Sequence, residues 1–219
     1  MAISAANKLA IYNGALLFLG ERQLSTTGLT DTVEARRLLD GVWDRDGINT
    51  VLEHGQWNFA MRTSKFEYEP TVTPAFGYHR AFEKPADFIR ICAMCSDEFF
   101  QNPLLLYTDE AGYWFCDLDD IYVKYVSNDG DYGTDYSLWP PSFKRYVESW
   151  FGCQIIWKLT QSKTAEEKAE GKCKKLLTDA RSKDAFNDPT RFLPPGRFRL
   201  ARSGGGGRGD GGYRGRLIG

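Results

Sequence analysis

Residues 113–126 read Tyr113-Trp114-Phe115-Cys116-Asp117-Leu118-Asp119-Asp120-Ile121-Tyr122-Val123-Lys124-Tyr125-Val126. Ile121, Val123 and Tyr125 alternate with Tyr122, Lys124 and Val126. This is the period-two pattern of a strand with one face in a core. The stretch 113–117 is as rich in aromatics, and Asp109-Glu110-Ala111-Gly112 ahead of it predicts a hairpin turn. Further upstream, 65–69, 78–82, 88–95 and 104–107 have the same character: short runs of aromatic and β-branched residues separated by Pro, Gly, Asn and Asp.

Outside this block the apolar period becomes helical. A helix is predicted over 4–19, capped by Ser4 and ended by Gly20, with Leu9, Tyr12, Leu16 and Leu19 as its stripe. Ile11, Ala15 and Phe18 make its other side apolar too, as expected of a helix covered on both sides, in part by a neighbouring subunit. Asp31-Thr32-Val33-Glu34 has the form of a capping box and predicts one long helix to about His54, weakened by Gly41 and Gly47. Ala35, Leu38, Leu39, Val42, Asn49 and Leu52 fall near one of its faces.

Beyond the polar loop 128–136, Pro140-Pro141 start a helix with Phe143, Val147, Phe151, Ile155 and Leu159 four apart. Thr164 followed by Glu167 predicts the cap of the last helix, with Ala165, Ala169, Cys173, Leu176 and Ala180 toward the core and Asn187-Asp188-Pro189 ending it. Helices, then strands, then helices predict an α+β fold: a helical bundle of two N-terminal and two C-terminal helices with a small antiparallel β region inserted. The expected segments are 1–64 (N-terminal helices), 65–137 (β-rich insertion), 138–189 (C-terminal helices) and 190–219 (an extended basic Gly/Arg-rich arm).

That arm carries seven arginines and one acid, a formal charge of +6 that leaves the upstream body at −7 within a net charge of −1. It contains Ser203-Gly204-Gly205-Gly206-Gly207 and almost no aliphatic side chain before Leu217. Such a composition cannot offset its own ordering entropy, so the arm is expected to order on a partner. The arginines together with Tyr213 are also similar to nucleic-acid-binding RGG segments.

No stretch of the chain approaches the ~20 apolar residues that cross a bilayer. No signal-peptide pattern opens it. Five cysteines at irregular spacing fit a reduced chain better than a disulfide framework. Cys92-Ala93-Met94-Cys95 lies in a predicted strand, where side chains three apart point to opposite faces, so a metal half-site is not expected. His54 is read as a helix C-terminal residue stabilised by the dipole and His79 as a strand residue, neither of them catalytic. The acidic residues Asp117, Asp119, Asp120, Asp129, Asp131 and Asp135 lack calcium-loop spacing and read as a solvated edge or subunit contact. No enzyme, metal or cofactor is expected.

Several motifs occur together in a telling order. The opening helix ends in Leu19-Gly20, and the second helical segment leads into Gln56-Trp57-Asn58-Phe59-Ala60. Phe82-Glu83-Lys84-Pro85-Ala86-Asp87-Phe88-Ile89-Arg90 follows, then Tyr122-Val123-Lys124-Tyr125, then Trp139-Pro140-Pro141-Ser142-Phe143. In these motifs and their order, residues 4–188 resemble the head-to-tail adaptor (tail tubular protein A-like) family of short-tailed bacteriophages. Residue chemistry gives the motifs structural roles. Trp57 and Phe59 anchor the strands to the bundle, Pro85 sets the start of a strand, Asp87 accepts backbone hydrogen bonds in that turn, and Arg90 pairs with Asp87 or a neighbour.

The resemblance implies a homo-oligomeric ring, twelvefold in this family, in the neck of a virion assembled in the bacterial cytoplasm. Such a ring joins the portal protein to a tail nozzle or fibres, lets DNA pass and needs no membrane. It also implies that the C-terminal extension grips the portal, here through Arg197, Phe198, Arg199, Leu200, Arg202, Tyr213, Arg214 and Arg216. The Gly/Arg-rich character of the arm departs from the family. A nucleic-acid-binding accessory protein acting through that arm is the alternative expectation, and a tail-borne cell-wall hydrolase is the third.

Overall fold

A computed structural model describes residues 3–25 and 34–187. The chain divides into a unit of residues 1–188 and a second of 189–219. The second unit, with the whole predicted portal-docking set (Arg197, Phe198, Arg199, Leu200, Arg202, Tyr213, Arg214, Arg216), lies outside the described residues. The first is α+β: five helices and two small antiparallel sheets among the described residues.

Helix α1 spans Ala5–Leu19. Ser4 caps it by accepting the Asn7 N–H, and Gly20 ends it at φ 80°, a left-handed conformation that costs glycine little. Both ends agree with the sequence reading. The next helix does not. In place of one long helix there are two, α2 (Glu34–Trp43) and α3 (Gly47–Glu53). Asp46 stands between them at φ 58°, and an added Cβ on Gly47 would meet the Val42 carbonyl at 2.7 Å. Among the described residues the N-terminal helices therefore number three. Asp31, Thr32 and Val33 of the expected capping box lie outside the described residues.

A single 3-10 turn, Asn58–Ala60, converts the helical body into β1 (Met61–Glu67). The strand thus begins four residues earlier than predicted. β2 (Arg80–Glu83), β3 (Phe88–Cys95), β4 (Thr108–Glu110), β5 (Tyr113–Cys116) and β6 (Asp120–Ser127) follow. The orders are β1-β6-β3 in one sheet and β2-β5-β4 in the other. Ala111 and Gly112, at φ 47° and 87°, form the two-residue turn between β4 and β5, a geometry matched to strand twist.

The strand expected at 104–107 is absent. β4 begins only at Thr108, opposite Phe115 near the end of β5, and the preceding chain instead follows β3. There Leu104 N–H donates to the Met94 carbonyl. Leu105 and Leu106 are left 82% and 76% exposed. His79 lies just before β2, outside the strand expected to contain it.

Ile121, Val123 and Tyr125 are buried as the alternation predicts, and with Phe82, Met94, Trp114 and Cys116 they form a core around the two sheets. Val126 turns the other way, into the larger core of α1–α4 together with Trp57, Trp139, Phe143 and Phe151. β6 therefore belongs to both cores, which is why this stretch fixes the architecture. Helix α4 (Pro141–Thr160) buries Phe143, Val147, Phe151 and Ile155 as predicted. Helix α5 (Lys163–Ala185) is capped by Ser162, which accepts the Ala165 N–H, and not by Thr164. Thr164 already lies in the first turn, so the boundary falls two residues earlier.

Candidate functional site

The motif residues read from the sequence fall at two kinds of joint: between the helical body and the β region, and between the strands of the first sheet. Trp57 is 1% exposed. Its ring meets Phe143 edge-on at 4.6 Å and stacks on Phe59 at 6.3 Å. Phe59 in turn contacts Phe143 at 4.8 Å and Trp139 at 6.5 Å. Helix end, 3-10 turn and α4 are thus locked by one aromatic cluster, as the anchoring role predicts. Gly55 lies flat against the indole, where a Cβ would come within 2.7 Å of the ring. The indole N–H is buried without an acceptor.

Asn58, between the two aromatics, is held from the far end of the chain. Its N–H donates to Asp184 Oδ2 at 2.9 Å, and its side-chain amide donates to the Asp184 carbonyl at 2.9 Å. These two bonds, both donated by Asn58, bind the 3-10 turn to the end of α5. Sequence reasoning missed Asp184, although one signal was present: it stands four residues after Ala180 on the buried stripe of α5, where an acid needs a partner.

Pro85 opens the turn before β3, with Phe88 N–H donating to its carbonyl at 3.0 Å. The Asp87 carboxylate has side-chain partners in place of the backbone donors expected. Arg62 of β1 donates at 2.8 Å, Ser127 of β6 at 2.5 Å, and the Tyr125 hydroxyl at 3.2 Å. Burial opposes its charge, but the Ser127 and Arg62 hydrogen bonds outweigh burial and hold the carboxyl below the usual carboxylate range. All three strands of the first sheet meet at this ion pair. Arg62 also reaches Asp129 at 3.4 Å.

Arg90 does not pair with Asp87. It donates to the Glu53 carbonyl at 3.1 Å, at the end of α3. Arg181 of α5 donates to the next carbonyl, that of His54, through Nε at 3.0 Å and through a second guanidinium nitrogen. The two arginines supply the cationic cap that the sequence reading had assigned to His54. His54 itself bonds the Tyr146 hydroxyl through Nδ1 at 2.6 Å. Burial and the Arg181 charge push its pKa down, so its charged form is disfavoured and the dipole reading is corrected.

Asp46, Asn49, Asp87, Asn128 and Asp129 line a polar cleft of about 590 Å³, with Trp43 and Ile48 among its apolar walls. Of its carboxylates, Asp87 and Asp129 bond Arg62 and Asp46 bonds Asn49. The acidic edge is similarly paired: Asp117 with His79, Asp119 with Arg80 and Asp120 with Lys65. Among the described residues no three His, Cys, Asp or Glu side chains converge on a metal position, and no helix is long and apolar enough to cross a membrane. No protein-family model matches the chain, and no curated protein matches it.

Proposed function

We propose that this protein is a structural head-to-tail adaptor of a bacteriophage virion, a ring subunit that joins the portal to the tail and lets DNA pass. The observation that carries the reading is where the resembling motifs fall. Trp57, Phe59 and Arg90 bind the β region to the helical body, while Pro85 and Asp87 fix the turn into β3 and tie the strands of the first sheet together. A carboxylate held ionised by a guanidinium and two hydroxyls is a joint, not a poised general acid. Such joints suit a rigid subunit that transmits load between two larger assemblies.

Two exposed features support assembly. Helix α1 buries Ile11, Tyr12, Ala15 and Leu16 on one side, yet Leu17 is 67% exposed on another. The loops after β1 and β3 leave Phe76, Phe99, Leu105 and Leu106 in solvent. The pairing of Glu67 with Asp120, and of Cys95 with Tyr122, puts both loops by the start of β6, away from the Ser127 end that joins the helices. Exposed apolar side chains on these two loops suit a contact with another protein.

The arginines of 190–219 favour a second reading, nucleic-acid binding through the arm. Mixing the full chain with a portal protein and following co-assembly by light scattering tests the adaptor reading. Salt-sensitive binding to DNA or RNA that disappears with the arm, together with failure to join a portal, would favour the alternative.

A further inference from the structure

Cys153 of α4 and Cys173 of α5 face each other across the most extensive helix–helix contact in the fold. Counted from the hairpin, Cys153 stands seven residues before the end of α4 and Cys173 ten after the start of α5. The two therefore come level within about one turn. Ser149 and Ile156 flank Cys153 on its stripe and are buried; Ala169 and Ala180 flank Cys173 on its stripe and are buried. Three of these four, Ser149, Ala169 and Ala180, are small, which favours the close backbone approach a cross-link requires. Both thiols are free and half-buried, and each lies close enough to perturb the other.

We propose that Cys153 and Cys173 form an oxidation site that takes a small-molecule disulfide, such as oxidised glutathione, and closes into a disulfide stapling α4 to α5. Cys173 is the attacking sulfur. The neighbouring Cys153 thiol favours its thiolate, which lowers its pKa and raises that of Cys153. The Ser149 hydroxyl also lies beside Cys173, but its one proton is directed to the Tyr146 carbonyl at 2.8 Å, so Cys153 is the neighbour that matters most. In contrast, burial pushes the thiols of Cys92, Cys95 and Cys116 upward.

The Cys173 thiolate attacks one sulfur of oxidised glutathione, forming a mixed disulfide and expelling glutathione thiolate. Cys153 then loses its proton and its sulfur attacks Cys173 Sγ, expelling the second glutathione. The protein gives up two protons and two electrons, and the oxidant takes them up as two glutathione molecules. The site does not depend on the proposed function.

The test incubates the folded full-length protein with oxidised glutathione and maps thiols by mass spectrometry without reduction. The expected result is loss of two of the five thiols, a mass decrease of two hydrogens, and one cross-linked peptide joining Cys153 to Cys173. The melting temperature should rise by about 5–10 °C, because the bond closes a loop of about 20 residues. Cys153→Ser should stop at a stable glutathione adduct on Cys173, and Cys173→Ser should leave Cys153 reduced. A cross-link to any other cysteine, an adduct that persists in the wild-type chain, or five unreacted thiols would overturn the proposal.

Discussion

Replacing Trp57 with alanine tests the joint between the helical body and the strands. The indole is fully buried and meets Phe143, Tyr146 and Phe59 at centroid distances of 4.6, 6.3 and 6.3 Å. Losing a buried Trp costs on the order of 3–5 kcal/mol, and broken aromatic pairs push toward the upper end. One term offsets this: the buried indole N–H has no acceptor, and deleting an orphaned donor returns about 1–3 kcal/mol. The net loss is about 3 kcal/mol, a fall in melting temperature of about 6–12 °C for a chain of this size. Trp57→Phe keeps a ring against Phe143 and removes the orphan, so it should lose less than half as much. Circular dichroism melts of the three proteins give the comparison. An unchanged melting temperature in Trp57→Ala, or a phenylalanine variant as damaged as the alanine one, would refute this picture of the joint.

Other consequences follow from the same geometry. The Asp87 carboxyl is held below its unfolded value, so its contribution to stability is complete above about pH 4 and is lost as pH falls through the lower folded value. Urea unfolding should show wild type more stable than Asp87→Asn at about pH 7, with the gap closing below about pH 3; an equal gap at both would count against the Arg62–Asp87 pair. A chain ending at Pro194 should melt within about 2 °C of full length, since the arm's composition supports no core, yet bind a portal far more weakly. Wild-type occupancy on the portal by that truncated chain would remove the arm from the docking role.

The parts of the fold legible in the sequence were those fixed by local chemistry. Ser4 and Gly20 bracket α1 because a cap and a left-handed glycine act within one turn of the residues they serve. The alternation of Ile121, Val123 and Tyr125 is likewise local, and all three are buried. The break between α2 and α3 was not legible, because it rests on a left-handed Asp46, a conformation aspartate tolerates without advertising it. Nor were the partners of the motif residues. Arg62 meets Asp87 across 25 residues and Asn58 meets Asp184 across 126, and only the assembled sheet and hairpin bring them together. Arg90 turned to Glu53 because α3 ends beside β3 with carbonyls that need donors. The arginines predicted to dock a portal lie outside the described residues.

The central claim is assembly into a ring on a portal, and mass measurement tests it most directly. Light scattering of the full chain with saturating portal should show added mass of roughly 300 kDa, twelve copies of a 24.8 kDa subunit closed by cyclic symmetry. A chain that remains monomeric in the presence of saturating portal would contradict the account.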